Sequence, residues 1–143
     1  MLTAIIEART KADRLPVILS QLTAGAVDGL VRQVLLVAAE GQPGIADLCE
    51  ETGAEAYSTL AAAAQAARAD RLLVLPADFR FRDGWIRALD GAQPPAVVVG
   101  QGMGGLFERP PSGLLVERGL LEQGVDDVVG LRRRLGLRVR RVG

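Results

Sequence analysis

The stretch that decides the fold covers residues 71–81 and reads RLLVLPADFRF. Residues 72–75 form a short apolar run, which is typical of a strand buried on both faces of a parallel sheet. Pro76 ends the run, because proline cannot donate a hydrogen bond to a central ladder. Asp78 therefore follows the carboxyl end of the strand, the edge at which open α/β sheets bind ligands. Its carboxylate can hold a metal or a ribose, or it can cap the next turn.

Strand-like and helix-like patterns alternate on both sides of this stretch. Leu15, Ile18, Leu19 and Leu22 lie at i, i+3, i+4 and i+7, the spacing of an amphipathic helix. Similar patterns predict strands at residues 3–8, 32–39, 54–57 and 96–100 and helices at residues 45–53, 60–69 and 83–90, with Ser58 as the N-cap of the helix at 60–69. This alternation predicts a three-layer α/β/α fold with a mostly parallel wound sheet, built as a single domain over residues 1–143.

The chain after residue 100 has a looser pattern. Gly100, Gly102 and Gly105 match the GxGxxG form of a dinucleotide-binding loop. That loop belongs on the first strand-to-helix turn, whereas these glycines follow a late strand and precede two prolines, which cannot open a helix here. We therefore interpret them as a mobile loop over the edge of the sheet.

The C-terminal part of the chain predicts an edge strand at residues 113–118 and a helix at residues 125–135. Asp126 and Asp127 lie at the start of that helix, where paired carboxylates can act as a general base or can simply face the positive end of the helix dipole. Spacing alone favours the structural interpretation. For the basic residues 132–141, a solvated face is favoured over contact with phosphates or an anionic membrane.

The composition excludes several classes of site. The chain has no histidine and one cysteine, Cys49, so Ser-His-Asp triads, histidine- or cysteine-ligated zinc and internal disulfides are excluded. Seventeen acidic and 17 basic residues cancel, which gives no overall electrostatic case for binding nucleic acid. No signal peptide and no transmembrane segment of about 20 apolar residues is visible, so we expect a cytoplasmic protein with Cys49 as a buried thiol.

With Asp78 placed, the chain resembles a family 2 glycosyltransferase of the nucleotide-sugar-binding GT-A fold, and it is most similar to the short bacterial members. The opening VIIPxxNE signature of that family corresponds to residues 5–11, its VVDxGSTDGT turn to residues 37–45, its LFLDADT metal motif to residues 73–79, its pGW element to residues 83–85 and a late EDxxLxRRLG stretch to residues 127–136. The resemblance covers nearly the whole chain in the order of the family, and every motif is degenerate.

The resemblance implies roles for individual residues. Asp78 is the remaining acid of the metal motif and would ligate Mn²⁺ or Mg²⁺ through a sugar diphosphate. One carboxylate would bind the cation weakly, because phosphate and water must supply the other oxygens. The implied catalytic base is Asp127, or Asp126. The nucleotide would lie along the backbone of Ile6, Glu7, Ala8 and Arg9 and beside Ala38, where the family carries an aspartate for the nucleobase.

Two hypotheses of different classes follow. The first is a glycosyltransferase-like protein that binds a nucleotide-diphosphate sugar and transfers the sugar, with inversion, to an acceptor hydroxyl that these residues do not identify. The second is a catalytically inactive relative that acts as a binding or oligomerisation module, for example as a homodimer. Nucleotidyl transfer on the same fold is a weaker third hypothesis, because the glycine-rich opening loop of that chemistry is missing.

Overall fold

The computed structural model describes residues 1–102 and 111–121, together with the backbone of residues 140–142. The strands of this part of the chain are β1 (Leu2–Glu7), β2 (Val31–Val37), β3 (Glu55–Tyr57), β4 (Arg71–Pro76), β5 (Ala96–Val99), β6 (Ser112–Glu117) and β7 (Arg140–Val142). Its α-helices are α1 (Leu15–Val27), α2 (Ile45–Thr52), α3 (Leu60–Ala66), α4 (Trp85–Asp90) and α5 (Arg118–Leu121), and a 3-10 turn (Ala12–Arg14) precedes α1. None of these helices combines the length and the apolar character needed to cross a membrane.

The strands form one mixed sheet in the order β3-β2-β1-β4-β6-β5-β7. Strand β1 is parallel to both β2 and β4, and β2 is parallel to β3. Strand β6 is antiparallel to its neighbours β4 and β5, and β7 pairs in parallel with β5. The chain winds from β1 out to β3 and returns to β4 on the other side of β1. The strand order therefore reverses between β1 and β4, and ligands bind outside the carboxyl ends of the strands at such a switch point.

Alternate residues of the strands supply two cores on opposite faces of the sheet. On one face Ile6 and Leu75 are buried in the same cluster as Ile18 of α1. On the other face Ile5 is buried in the same cluster as Leu60 of α3. Helices α1, α2 and α4 cover the first face, and α3 and α5 cover the second. The predicted three-layer α/β/α fold with a mostly parallel sheet is confirmed.

The prediction of an edge strand at residues 113–118 is wrong about its position. Strand β6 lies inside the sheet, between β4 and β5. Gly113 permits this close packing, because a Cβ at that position would lie 2.9 Å from the carbonyl oxygen of Val74 and would overlap the side chain of Leu75. The antiparallel strand β6 therefore pairs with β4 on one side and with β5 on the other, and it does not form the edge of the sheet.

Helix α3 begins at Leu60 as predicted, but its N-cap lies one residue later than expected. Its N-cap is Thr59 rather than the predicted Ser58, and the Thr59 hydroxyl oxygen accepts a hydrogen bond from the backbone N–H of Ala62 at 3.1 Å. Ala63 and Ala64 are fully buried, and their small side chains let the helix lie close to the sheet. Thr59 follows β3, so the cap lies at the carboxyl edge of the sheet.

The same helix ends at Ala66, before the predicted end at residue 69. The backbone N–H of Arg68 donates to Gln33 Oε1 at 2.9 Å, and the N–H of Ala69 donates to Thr3 Oγ1 at 3.4 Å. Side chains of two strands thus take backbone donors that further helical turns would have used.

Candidate functional site

The loops that leave β1 and β4 start side by side at the switch point. Glu7, the last residue of β1, is in register with Pro76, the last residue of β4. Lys11 lies on the first loop and Asp78 on the second, and Lys11 Nζ donates to Asp78 Oδ2 at 2.8 Å. This Lys11–Asp78 pair joins residues 67 positions apart and crosses the point at which the strand order reverses.

The backbone of Lys11 is strained in a way that fixes its position. Lys11 adopts the left-handed conformation, with φ 56° and ψ 36°, which residues other than glycine adopt rarely and which is found disproportionately at functional sites. Its carbonyl oxygen accepts a hydrogen bond from the N–H of Arg14 at 3.0 Å, which closes the turn leading into α1. The sharp turn leaves 63% of the Lys11 side chain exposed at the edge of the sheet.

Asp78 is held from both sides by buried neighbours. The N–H of Phe79 donates to the carbonyl oxygen of Pro76 at 3.1 Å, which forms a tight turn around Asp78. Phe79 is fully buried and packs edge to face on Phe81, with 4.9 Å between the ring centroids. Phe81 in turn stacks on Trp85 at 3.9 Å. We call these three rings the aromatic layer. Between the anchored residues, the Asp78 side chain stays 29% exposed, and its carboxylate bonds to Lys11 instead of capping its own turn.

Gln42 joins the loop after β1 to the loop after β2. Its Nε2 donates to the carbonyl oxygen of Ala8 at 2.8 Å, and its Oε1 accepts from the backbone N–H of Ala39 at 3.0 Å. One backbone bond also joins the two strand ends, from the N–H of Ala8 to the carbonyl oxygen of Val37 at 2.8 Å. These hydrogen bonds link the loop after β1 to the loop after β2, beside the Lys11–Asp78 pair.

Glu7 and Arg9 neutralise each other within the first loop. Arg9 Nη2 lies 2.6 Å from Glu7 Oε2, and Arg9 Nε and the backbone N–H of Arg9 donate to Glu7 Oε1 at 2.8 and 3.0 Å. Two parallel bonds of this kind make a strong and geometrically specific ion pair. Both carboxylate oxygens of Glu7 are thus occupied inside the loop.

An open depression lies beyond the carboxyl ends of β2 and β3. It has a volume of about 670 Å³, and we call it the β2–β3 depression. Its lining consists of Ala38, Ala39, Glu40, Gly41, Gln42, Ile45, Ala46, Cys49, Ala56, Tyr57 and Ser58. Most of this lining is small or uncharged, so the depression suits a flat, largely neutral group, in contrast to the charged pair on the other side of β1.

Two titratable groups of the depression are held in their neutral forms. The Tyr57 hydroxyl donates to Glu55 Oε2 at 2.7 Å, and this hydrogen bond, together with partial burial, raises the pKa of Tyr57. Burial, aided by the nearby charge of Glu55, raises the pKa of the Cys49 thiol. Cys49 lines the depression, so the thiol that was predicted to be buried is only half-buried. The depression thus presents a phenol and a thiol rather than their anions.

The described residues do not build a divalent-cation site by themselves. Mn²⁺ and Mg²⁺ take about six oxygen ligands, with carboxylates, phosphates and water as the usual donors. Within residues 1–102 and 111–121, no three acidic or cysteine side chains cluster closely enough to hold a metal ion. Asp78 already bonds to an ammonium group, and both oxygens of Glu7 bind Arg9. The metal role of Asp78 therefore stays a prediction that its described neighbours do not support.

The other predicted site residues are distributed unevenly. Ile6 and Ala8 have no exposed surface and Ala38 is 4% exposed, so their side chains support the edge of the sheet from inside. Glu7 and Arg9 are half-buried at that edge. Their assignment to a nucleotide stays a prediction. Asp126 and Asp127, the predicted catalytic residues, lie outside the described residues, as do Gly105 and the predicted helix at residues 125–135.

Sequence reasoning missed Lys11 and Gln42 as site residues. The alignment to the opening signature places Lys11 where the family has an acid, which marks it as a departure and not as a functional group. The visible signal was a basic residue just after the first strand of a parallel sheet, next to the switch point. Gln42 offered no signal, because its role depends on the distance between two loops.

Solved structures show which folds the chain is similar to. A 4-diphosphocytidyl-2C-methyl-D-erythritol synthase matches with a TM-score of 0.66 and 13% identity over 99% of this chain and 87% of its own. A nucleotidyl transferase from Methanothermobacter thermautotroptrophicus matches with a TM-score of 0.60 and 16% identity over 100% of this chain and 86% of its own. Mannosyl-3-phosphoglycerate synthase from Rubrobacter xylanophilus matches with a TM-score of 0.60 and 21% identity over 84% of this chain.

The chain spans about half, 54%, of the length of that mannosyl-3-phosphoglycerate synthase. No protein-family model and no curated protein sequence matches the chain. At such low identities the structural matches establish the fold, which is the α/β fold shared by nucleotidyl transferases and GT-A-like transferases.

Proposed function

We propose that this protein binds a nucleotide with two or more phosphates, whose phosphates lie at the Lys11–Asp78 pair and whose nucleoside lies over the β2–β3 depression. The observation that carries the proposal is the charged pair across the switch point, next to an open neutral depression. Neighbouring strands lie about 4.8 Å apart, so the two features are separated by about 10 Å along the edge of the sheet. A nucleoside diphosphate spans that distance.

For the reaction we propose transfer of a sugar from a nucleotide-diphosphate sugar to an acceptor hydroxyl, with inversion, as the resemblance to family 2 glycosyltransferases implies. The acceptor oxygen forms a bond to the sugar carbon while the nucleoside diphosphate leaves, and a carboxylate takes the hydroxyl proton. Asp127, or Asp126, is the proposed base. Asp127→Asn and Asp126→Asn, compared by release of nucleoside diphosphate, identify it if one of the two loses activity.

Nucleotidyl transfer is the second candidate, and the structural matches favour keeping it. The 4-diphosphocytidyl-2C-methyl-D-erythritol synthase and the nucleotidyl transferase are covered over 87% and 86% of their length, against 54% for mannosyl-3-phosphoglycerate synthase. Both reactions use the same nucleotide site, and their products differ. Sugar transfer releases a nucleoside diphosphate, whereas nucleotidyl transfer from a nucleoside triphosphate to a phosphorylated acceptor releases pyrophosphate. A product assay with each donor therefore separates the two candidates.

Binding itself is testable through Cys49, because it is the only cysteine of the chain and it lines the depression. A maleimide would label it at a rate measured by mass spectrometry, with and without UDP, GDP, CDP and their sugar conjugates. The cognate nucleotide is expected to slow labelling and to raise the melting temperature, whereas the matching nucleoside without phosphates does neither. If no nucleotide protects Cys49, the remaining hypothesis is the catalytically inactive binding or oligomerisation module. Analytical ultracentrifugation would then test whether the protein forms a homodimer.

A further inference from the structure

The phosphates of a nucleotide need positive charge, and the described part of this site offers it on a side chain. A diphosphate brings at least two negative charges to the edge of the sheet, where a divalent cation or a basic residue must balance them. The described residues form no cluster of metal ligands. Lys11 places an ammonium group at the switch point, 2.8 Å from the carboxylate to which a metal would bind.

A cation and the Lys11 ammonium compete for the same oxygen atoms. Asp78 Oδ2 accepts the Lys11 bond, and both oxygens of Glu7 bind Arg9, so a metal ion at any of these three oxygens would compete with a cationic side chain. The ammonium is part of the chain and is held near Asp78 by the strained turn at Lys11, which gives it a high local concentration. A free divalent cation that binds the Asp78 carboxylate competes with this ammonium and gains one carboxylate in return.

We propose, on the basis of the nucleotide site proposed above, that Lys11 takes the place of the divalent cation, so that the protein binds the phosphates of its nucleotide without a metal ion. Lysine binds phosphate as a point charge with three hydrogen-bond donors, and 63% of the Lys11 side chain is exposed to an incoming ligand. In this arrangement the Asp78 carboxylate competes with the phosphates for the Lys11 ammonium.

The two charge-balancing schemes predict opposite results for Asp78. If Asp78 binds a metal ion, Asp78→Asn removes the ligand and weakens nucleotide binding. If Lys11 binds the phosphates, Asp78→Asn removes a competing carboxylate, and binding is unchanged or tighter. Lys11→Met removes the ammonium and is expected to weaken binding by about 10- to 100-fold, the usual range for a lost charged hydrogen bond.

The experiment measures nucleoside diphosphate affinity by calorimetry and by Cys49 protection, in EDTA and in Mn²⁺. The variants are Lys11→Met, Lys11→Arg as the charge-conserving control, Asp78→Asn, and Arg32→Met, which removes an equal charge from an exposed site on another part of the sheet. We expect equal affinity in EDTA and Mn²⁺, a loss with Lys11→Met alone, and retention with the other three.

Two outcomes would overturn this inference, and they differ in what they say about the proposed function. Binding that needs Mn²⁺ and disappears in Asp78→Asn would assign the charge to a metal and leave the nucleotide site intact. Absence of binding in both EDTA and Mn²⁺ would remove the nucleotide site together with the inference. The melting temperatures of Lys11→Met and Lys11→Arg are compared as a control for unfolding, and we expect them to be equal.

Discussion

Asp78 and Phe79 are consecutive in the sequence, and their side chains enter opposite environments. Asp78 keeps 29% of its side chain exposed and bonds to a lysine that is itself 63% exposed. Phe79 has no exposed surface and packs against a second phenylalanine at 4.9 Å. Asp78 of the charged pair and Phe79 of the aromatic layer thus come from the same loop, one residue apart.

The difference between these two regions shows that neighbouring residues of the loop have separate roles, one in stability and one at the exposed edge of the sheet. Burial of aromatic rings contributes several kcal/mol to folding, whereas exposed ion pairs contribute about 0–1 kcal/mol each. The aromatic layer therefore holds the loop, and the Lys11–Asp78 pair is free to meet a ligand without a large effect on stability. Substitutions in each of the two regions test this division.

Phe79→Ala is expected to give the largest effect. It removes a fully buried ring that anchors the loop and should lower the free energy of unfolding by about 3–5 kcal/mol, measured by urea denaturation. Phe79→Leu fills most of the space and should cost clearly less. If Phe79→Ala lost under about 1 kcal/mol, the typical effect of an ordinary substitution, the loop would be held by something other than the aromatic layer.

Gly113→Ala tests the packing of β6 against β4, the strand that precedes the Asp78 loop. A methyl group on β6 would meet the carbonyl oxygen of Val74 at 2.9 Å, so the sheet must shift and the protein should lose about 1–3 kcal/mol of stability. Gly119→Ala is the matched control, because that position in α5 has no described atom within 4 Å. The control should be neutral or slightly stabilising, since alanine favours helices. Equal effects in both variants would show that β6 does not pack tightly against β4.

Thr59→Ala examines an edge residue that has a structural role. Loss of the N-cap of α3 should cost about 1 kcal/mol of stability. This loss is smaller than that expected in the aromatic layer and larger than that expected for the charged pair. Ser58→Ala, one position earlier, should leave stability unchanged. Thermal unfolding of the two variants measures both effects, and a larger loss in Ser58→Ala would return the cap to the residue that the sequence pattern indicates.

Much of the fold was predictable because its signals are local. The apolar run before Pro76 and the heptad-like spacing of Leu15 and Leu22 identify a buried strand and an amphipathic helix within a few residues of sequence. The end of α3 was not predictable, because the donors of Arg68 and Ala69 are captured by side chains more than 30 positions away. Local propensity carries no information about such partners.

In the candidate site too, local sequence predicts some positions and not others. Asp78 was predictable, since its position depends only on the end of one strand. Its partner Lys11 was not, because the pair exists only if β1 and β4 are neighbours in the sheet, and strand order is a property of the whole chain. For the same reason the internal position of β6 was missed, although its residues were correctly predicted as a strand.

Glu55→Gln tests whether the Glu55 carboxylate raises the pKa of Tyr57. The hydrogen bond to Glu55 raises the pKa of Tyr57 above its ordinary value of about 10, so its stabilising contribution is complete below that pH and is lost as the pH rises through the folded-state pKa. Glu55→Gln should lower the titration midpoint. Tyr57 is the single tyrosine, so tyrosinate absorbance reports it directly. An unchanged midpoint would show that the hydrogen bond does not set the pKa.

Removal of the charged pair is expected to give the smallest change in stability. Lys11→Met and Asp78→Asn should each alter the free energy of unfolding by less than about 1 kcal/mol, because solvent screens an exposed ion pair and both side chains lose freedom by forming it. A double-mutant cycle measures the coupling directly, and raising the salt concentration should reduce it further. A coupling above about 2 kcal/mol would exceed that of ordinary exposed pairs. The pair would then hold the two loops together, and the division between a stabilising layer and an edge open to ligands would fail at the residues on which it depends most.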